Sequence, residues 1–362
     1  MKICFLFLDN FNRAPYLKRY ISLIENVDFD IIFWNRRSIL EEYGQKNSYD
    51  LRYKISNKNN ILSKVKKLIA YLLFSYKANY ILKNTHYDKI VVFGVNTAFL
   101  VKKILLSKYP HNFILDIRDY WNEHNKMLLK IEKKIILKSG LCLISSVDYQ
   151  KFLPKHNYCI IHNSQLIDTK QVRTTKNNNQ RIILACIGGS KYIEYDKKII
   201  LSFKNDNRFL LKYIGRGYEL LNSFCSNNGV ENVVIGGEFP IEKTFDYYED
   251  VDMILNLYGS GTPKLDHALS NKLYISTQLK LPIIVNQGTF MSEIVHEFNL
   301  GISVNIENAD FRDRIHNYYT DLDFEIFSIN CDSFNQKVAE EDNFANSMIR
   351  KFITNIEEDV KI

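Results

Sequence analysis

The amino-acid sequence predicts an α/β protein built from two doubly wound, parallel-sheet domains. Three observations carry this expectation. Short, continuously apolar runs alternate with segments of helical periodicity, the pattern of strands buried on both faces and joined by crossover helices. The alternation is interrupted once, over 166–180, by a polar tract without apolar periodicity, which reads as a linker. The 362 residues are long for one compact domain and suit two. The expected layout is a first domain over 1–165, the linker, a second domain over 181–335 and a terminal helical segment over 336–362.

In the first half, KICFLFL (2–8) is continuously apolar and breaks at Asp9-Asn10, as a buried strand does at its end. Tyr16, Tyr20, Leu23 and Ile24 give 14–26 helical periodicity. FDIIFW (29–34) is a second strand, 61–83 a long helix and KIVVFG (89–94) a third strand followed by a helix to about 107. NFILDIRD (112–119), a helix over 126–138, LCLISS (141–146) and YCIIHN (158–163) complete the series. The second half repeats the scheme with strands at 181–188, 209–215, 232–237, 252–258, 281–286 and 301–306. Helical segments lie between most of them. In the last segment Phe344, Met348, Phe352 and Ile356 recur every four residues and are expected to share one buried face.

Hydrophobic residues at 46% and charged residues at 25% are those of a globular protein. The six cysteines form no C-x-x-C pair, and four fall inside apolar runs, so buried reduced thiols are expected. No secretory leader is read in MKICFLFLDN, and the longest apolar stretch, LIAYLLF (68–74), is far too short to span a bilayer. A cytoplasmic location follows as an expectation. The net charge of +7 conceals an asymmetry: residues 1–165 hold 27 basic and 13 acidic side chains, the rest 21 and 28. One half therefore faces an anionic partner. The lysines of 61–83 and 126–138 sit among apolar residues, which suits peripheral contact with an anionic membrane as well as a solvated helix face. No nucleic-acid-binding module accompanies the charge, so no nucleic-acid partner is expected.

In open parallel sheets ligands bind beyond the carboxyl ends of the strands, so the residues following strands carry the chemistry. Gly188-Gly189-Ser190-Lys191 follows one strand; small residues let backbone approach an anion and the lysine adds charge. Gly215-Arg216-Gly217 follows the next, without the spacing of a dinucleotide fingerprint. After the strand ending at Tyr258 comes a Gly/Ser/Pro loop, and a helix starts near Ser270 with Lys272 in its first turn. A cation is unfavourable at that end of a helix unless an anion docks beside it. Gly288-Thr289 precedes a further helix carrying Glu293. In the first half Asp9 and Asp119 follow strands and are candidate general bases, with Arg118 beside Asp119. Asp116, Arg118 and Asp119 could equally form an ion-pair and capping network. His267 could bond a sugar or simply occupy a loop. No clustered His/Cys pattern appears, so no protein-bound metal is expected.

The region 256–304 resembles the donor site of GT-B glycosyltransferases, especially bacterial capsule and exopolysaccharide enzymes related to glycosyltransferase family four. The residues carrying the resemblance are Asn271-Lys272-Leu273, Leu281-Pro282-Ile283-Ile284, Gly288, Ser292-Glu293-Ile294-Val295 and Leu300-Gly301-Ile302. ILDIRDYW (114–121), YCIIHNSQ (158–165), YIGRG (213–217), 232–258 and EEDNF (340–344) follow the same family in order and spacing. The resemblance implies two Rossmann-like domains facing a central cleft, with a C-terminal helix crossing back to the first. It further implies transfer of a sugar from a nucleotide donor, UDP-linked, to a polyprenyl-diphosphate-linked glycan in bacterial surface polysaccharide synthesis. The nucleotide sugar is a substrate, and no separate cofactor is implied. Lys191 and Lys272 would neutralise the diphosphate, with Gly189 and Gly215 near it. Gly288 and Thr289 would offer backbone N–H groups, Phe239 would lie beside the base, and Tyr258 and Asn271 would line the cleft. The chain departs from the family at His267 and Ile275, where many members carry two glutamates. A silent homologue supporting a partner glycosyltransferase is the alternative; self-association as a homodimer is left open.

Overall fold

The computed structural model describes residues 1–13, 16–24, 27–54, 61–164, 172–177 and 179–355. The chain divides into two compact units, Met1–His162 with Glu340–Ile362, and Asn163–Ala339. Much of the expected linker, 166–171 and 178, lies outside the described residues, as does Ile356.

The first unit runs β1 (Lys2–Phe7), α1 (Leu17–Ser22), β2 (Asp28–Trp34), β3 (Asn47–Leu51), α2 (Ile61–Asn84) and β4 (Lys89–Phe93). It continues with α3 (Val95–Leu100), α4 (Lys102–Ser107), β5 (Phe113–Ile117), α5 (Lys126–Lys138), β6 (Leu141–Ile144) and β7 (Cys159–Ile160). The strands form one parallel sheet in the order β3-β2-β1-β4-β5-β6-β7. Chain direction across the sheet reverses between β1 and β4, which opens a crevice beyond their carboxyl ends. The inner strands are mostly apolar because helices cover both faces; all five residues of β5 are buried, and Asp116 is its one polar member. The helix expected to reach about 107 is two, broken at Val101, whose φ of −113° and ψ of 14° leave the helical region. Strand β3 was not anticipated: NSYDL offers only Tyr49 and Leu51 as apolar residues and forms the sheet edge, where packing demands little.

The second unit runs β8 (Ile182–Ile187), α6 (Ile193–Ser202), β9 (Phe209–Ile214), α7 (Leu221–Asn227), β10 (Val233–Gly236), β11 (Met253–Asn256) and α8 (Pro263–Asp266). It continues with α9 (Asn271–Leu279), β12 (Ile283–Asn286), α10 (Phe290–Glu297), β13 (Gly301–Val304) and α11 (Phe311–Thr320). Its parallel sheet has the order β10-β9-β8-β11-β12-β13, reversing between β8 and β11. Two apolar layers clothe it: one around Ile254, Leu273 and Ile283, the other around Ile199, Phe203 and Phe209.

Helix α12 (Phe324–Thr354) begins twelve residues before the expected 336 and serves both units. Phe327, Cys331, Phe334 and Val338 enter the core of the second unit, Ala345, Ile349 and Ile353 that of the first. The expected stripe is therefore off by one position: Phe344 is exposed, while Met348 and Phe352 only flank the buried face. A small residue, Ala345, marks that face because the helix approaches the sheet closely. Phe352 packs so near Gly140 that a β-carbon there would fall 2.2 Å from its ring. Long-range polar contacts fix the attachment. Arg19 donates two bonds of 2.9 Å to Asp342, which also accepts from the His162 N–H at 2.8 Å, and His162 Nε2 lies 2.6 Å from Glu341. All six cysteines are buried and free.

Candidate active site

In the second unit, the loops beyond the carboxyl ends of β8, β9, β11 and β12 are joined to one another by backbone and side-chain bonds. The turn after β8 is tied to that after β9: Gly188 N–H donates to Ile214 O and Ser190 N–H to Arg216 O, both at 2.9 Å. Gly215 is obligatory. Its φ is +137°, and a β-carbon there would lie 1.9 Å from Gly188 O. Gly189 and Lys191 are exposed on this turn.

A single amide organises the next pair of loops. Asn286, buried at the end of β12, accepts from Tyr258 N–H at 2.8 Å and Gly259 N–H at 2.9 Å, and donates to Tyr195 Oη at 2.8 Å. One side chain thus fixes the loop after β11 and the first turn of α6. Next to Asn286, Gly288 takes φ +74° and leads into α10. Thr289 caps that helix reciprocally: Ser292 N–H donates to Thr289 Oγ1 and Thr289 N–H to Ser292 Oγ, both at 3.2 Å. The Thr289 amide is therefore engaged within the cap. Glu293 is exposed in the first turn.

Helix α9 starts where expected, with Ser270 Oγ accepting from Lys272 N–H. Asn271 is exposed, whereas the Lys272 side chain turns inward. Its Nζ donates to Tyr258 Oη at 2.6 Å and stands 5.2 Å from that ring. Burial works against the ammonium, but Cys186, Tyr258 and Tyr248 around it outweigh that and hold its pKa above the ordinary lysine value. Asp196, also buried, has its carboxyl pushed up to about 7 by burial, against the pull of Lys272. The Tyr192 and Tyr258 rings meet at 5.4 Å, and Phe239 packs on Tyr247 at 4.6 Å. His267 is half-buried at the end of α8, and Ile275 packs against the core.

The corresponding edge of the first sheet is closed by side chains. Arg118 forms a bidentate pair with Asp116 at 2.8 and 2.9 Å, and Tyr20 Oη donates to the same carboxylate at 2.7 Å. The guanidinium also stacks 4.1 Å from the Tyr16 ring. Asn10 donates to Asn35 at 2.8 Å, and Glu41 accepts from the Phe11 and Asn12 N–H groups at 2.8 and 3.1 Å. Asp9, half-buried, accepts from Asn10 N–H at 2.8 Å and faces Arg36 at 3.7 Å; Asp119 is exposed. Burial pushes the Tyr16 phenol up against the pull of Arg118, with Asp116, Asp119 and Asp9 adding to the rise. Among the described residues no group of three His, Cys, Asp or Glu side chains is placed to hold a metal ion.

Asn286, Tyr195 and Asp196 were not anticipated from the sequence. Asn286 had a readable signal: it is the polar residue closing the apolar run LPIIVN, where a strand delivers its last side chain to the carboxyl edge of the sheet.

Two doubly wound parallel sheets on one chain, with a terminal helix returning from the second unit to the first, define the GT-B class. No protein-family model matches the chain, and no curated protein matches its sequence. Solved structures match over nearly the whole chain. Sucrose-phosphate synthase from Thermosynechococcus elongatus aligns with TM-score 0.68 and 9% identity, covering 98% of both chains. The lipopolysaccharide outer core galactosyltransferase WaaB in its apo form gives 0.62 and 15%, covering 98% of this chain and 99% of that one. Anabaena Alr3699/HepE, in complex with UDP and glucose, gives 0.63 and 11%, covering 98% and 100%. This chain has the GT-B fold.

Proposed function

We propose that the chain is a glycosyltransferase that moves a sugar from a UDP-linked donor to a polyprenyl-diphosphate-linked glycan, in the synthesis of a capsule or similar surface polysaccharide. The observation that carries this reading is the carboxyl edge of the second sheet, where linked glycine turns carry exposed Lys191 and the first turn of α9 holds Lys272 against Tyr258. A nucleotide leaving group needs fixed positive charge and oriented N–H donors, in place before the bond breaks. Lys191, exposed on the first turn, and Lys272, held by Tyr258, are the cations assigned to the diphosphate. Asn286 sets the loop between them. Phe239 is assigned to the base, and Asp119 or Asp9 to removal of the acceptor proton. A diphosphate-linked lipid acceptor puts the work at the inner face of the cell membrane. The donor is the sole small-molecule requirement, so transfer is expected to proceed in EDTA.

Thermal-shift measurements across UDP-, GDP- and CMP-sugars test the proposal, because a ligand that binds only the folded state raises the melting temperature. A rise confined to UDP species is expected. The absence of a rise with every nucleotide would favour the second reading, a silent homologue that supports a partner transferase. Its specific motivation is Ile275, an apolar side chain packed in the core where many relatives of family four present a glutamate.

A further inference from the structure

Helix α2 has two apolar faces, and only one of them is covered. The covered face holds Ala70, Phe74, Ala78, Ile81 and Leu82. On the flank between the faces, Ser75 and Asn79 donate to Leu100 O at 2.7 and 3.1 Å, which fastens the helix to its neighbour. At roughly 100° per residue, Leu62, Val65, Leu68, Leu72 and Tyr76 fall on an arc centred about opposite to it, and all five are exposed. Leu68 and Leu72 are 59% and 62% exposed, Tyr76 75%. Single exposed leucines are ordinary; a continuous stripe along four turns is not.

The charge around the stripe selects the partner. Between Asp50 and Asp88 the sequence has eight Lys or Arg residues and no Asp or Glu. Lys64 and Lys66 lie at the two borders of the apolar arc, and both are exposed. Helix α5, in the same layer of helices, adds exposed Lys130, Lys133 and Lys134. An apolar strip edged by cations matches the boundary of an anionic bilayer, where acyl chains take the leucines and headgroup phosphates take the ammonium groups. A second copy of this face would bring like charges together at both borders.

We infer that the outer face of α2 seats this protein on an anionic lipid bilayer, with Leu62, Leu68 and Leu72 entering the acyl boundary and Lys64 and Lys66 on the phosphates. The inference takes the membrane location from the function proposed above and assigns it to one helix. It does not depend on the donor chemistry: a chain that transfers no sugar would still bind vesicles.

The test is flotation of the full chain with vesicles of phosphatidylcholine alone or mixed equally with phosphatidylglycerol, alongside UDP titration of the same samples. Binding to the mixed vesicles is expected, weakening as salt rises and at least roughly tenfold weaker without the anionic lipid. Leu68→Ser with Leu72→Ser should abolish it. Lys64→Gln with Lys66→Gln should weaken it and flatten its salt dependence. Both variants change exposed side chains and should keep the wild-type melting temperature and UDP response. Wild-type protein that stays with the unbound fraction, or a leucine variant that floats as well as wild type, would overturn the inference. So would a wild-type dimer that the leucine variant converts to monomer without any lipid affinity. Flotation without a UDP response would leave the inference standing and remove the transferase reading.

Discussion

The carboxyl edges of the two sheets are built by opposite means. In the first unit, side chains close the edge: Arg118 grips Asp116, Asn10 bonds Asn35, and Glu41 holds two backbone N–H groups. In the second, glycines bring backbone segments together, and the polar side chains, Asn286 and Lys272, reach loops rather than each other. A site made of backbone can hold the part of a ligand that never varies, a diphosphate. A site made of side chains can be retuned residue by residue, as a changing acceptor requires. The first edge should accordingly respond to substitution mainly in stability, the second mainly in ligand affinity.

The largest effect is expected from Arg118→Ala. It leaves the Asp116 carboxylate buried without its partner, which costs about 3–5 kcal/mol, read as a lowered denaturation midpoint. A near-neutral result would show that the first edge is not held by this pair. On the second edge, Lys272→Ala should lower transfer on the order of 100-fold and remove most of the UDP-induced rise in melting temperature. An equal loss of stability in both variants would erase the contrast between the edges.

Glu132 sharpens the comparison from beneath the first sheet. It is fully buried on α5, neither carboxylate oxygen has a hydrogen-bond partner among the described residues, and burial with the nearby Glu123 pushes its pKa up to about 8. The folded state therefore holds the proton more tightly than the unfolded chain does. Stability is fully present below about pH 4 and is lost as pH rises through about 8. Glu132→Gln should flatten this slope and stabilise the protein at pH 8 by about 1–3 kcal/mol. A variant with the wild-type pH profile would show that the carboxyl finds a partner.

The smallest effect is expected from Asn286→Ala. Losing the bonds to Tyr258, Gly259 and Tyr195 should raise the donor KM by roughly tenfold with kcat much less changed, since the amide positions a loop and does not touch reacting atoms. A change confined to kcat would contradict that role.

Most of the architecture was legible from the chain because strands buried on both faces must be apolar throughout, as KICFLFL and LCLISS are. The α5 boundaries were legible too, where Asn125 supplies the cap. The edge strand β3 was not, since it buries little. Nor was the start of α12, whose first half packs through Phe327, Cys331 and Phe334 on a unit the spacing does not name. At the site, the glycine turns and Lys272 stood out by type and position. The inward turn of Lys272 did not, because its Tyr258 partner is fourteen residues away. Asn286 closes an apolar run, but in a chain rich in asparagine that position alone does not single it out, and the contacts of Arg19 and His162 with Asp342 join residues 323 and 180 positions apart. The second face of α2 could be sorted from the first only once the covering elements were known.

Calorimetric titration of UDP into the wild-type chain and Lys272→Ala bears most directly on the central claim, that the loop edge of the second sheet holds a nucleoside diphosphate. Saturable one-to-one binding by the wild type, weakened on the order of tenfold or more in the variant, is expected. Binding of equal strength in both would contradict the role given to Lys272, and no binding by either would contradict the site.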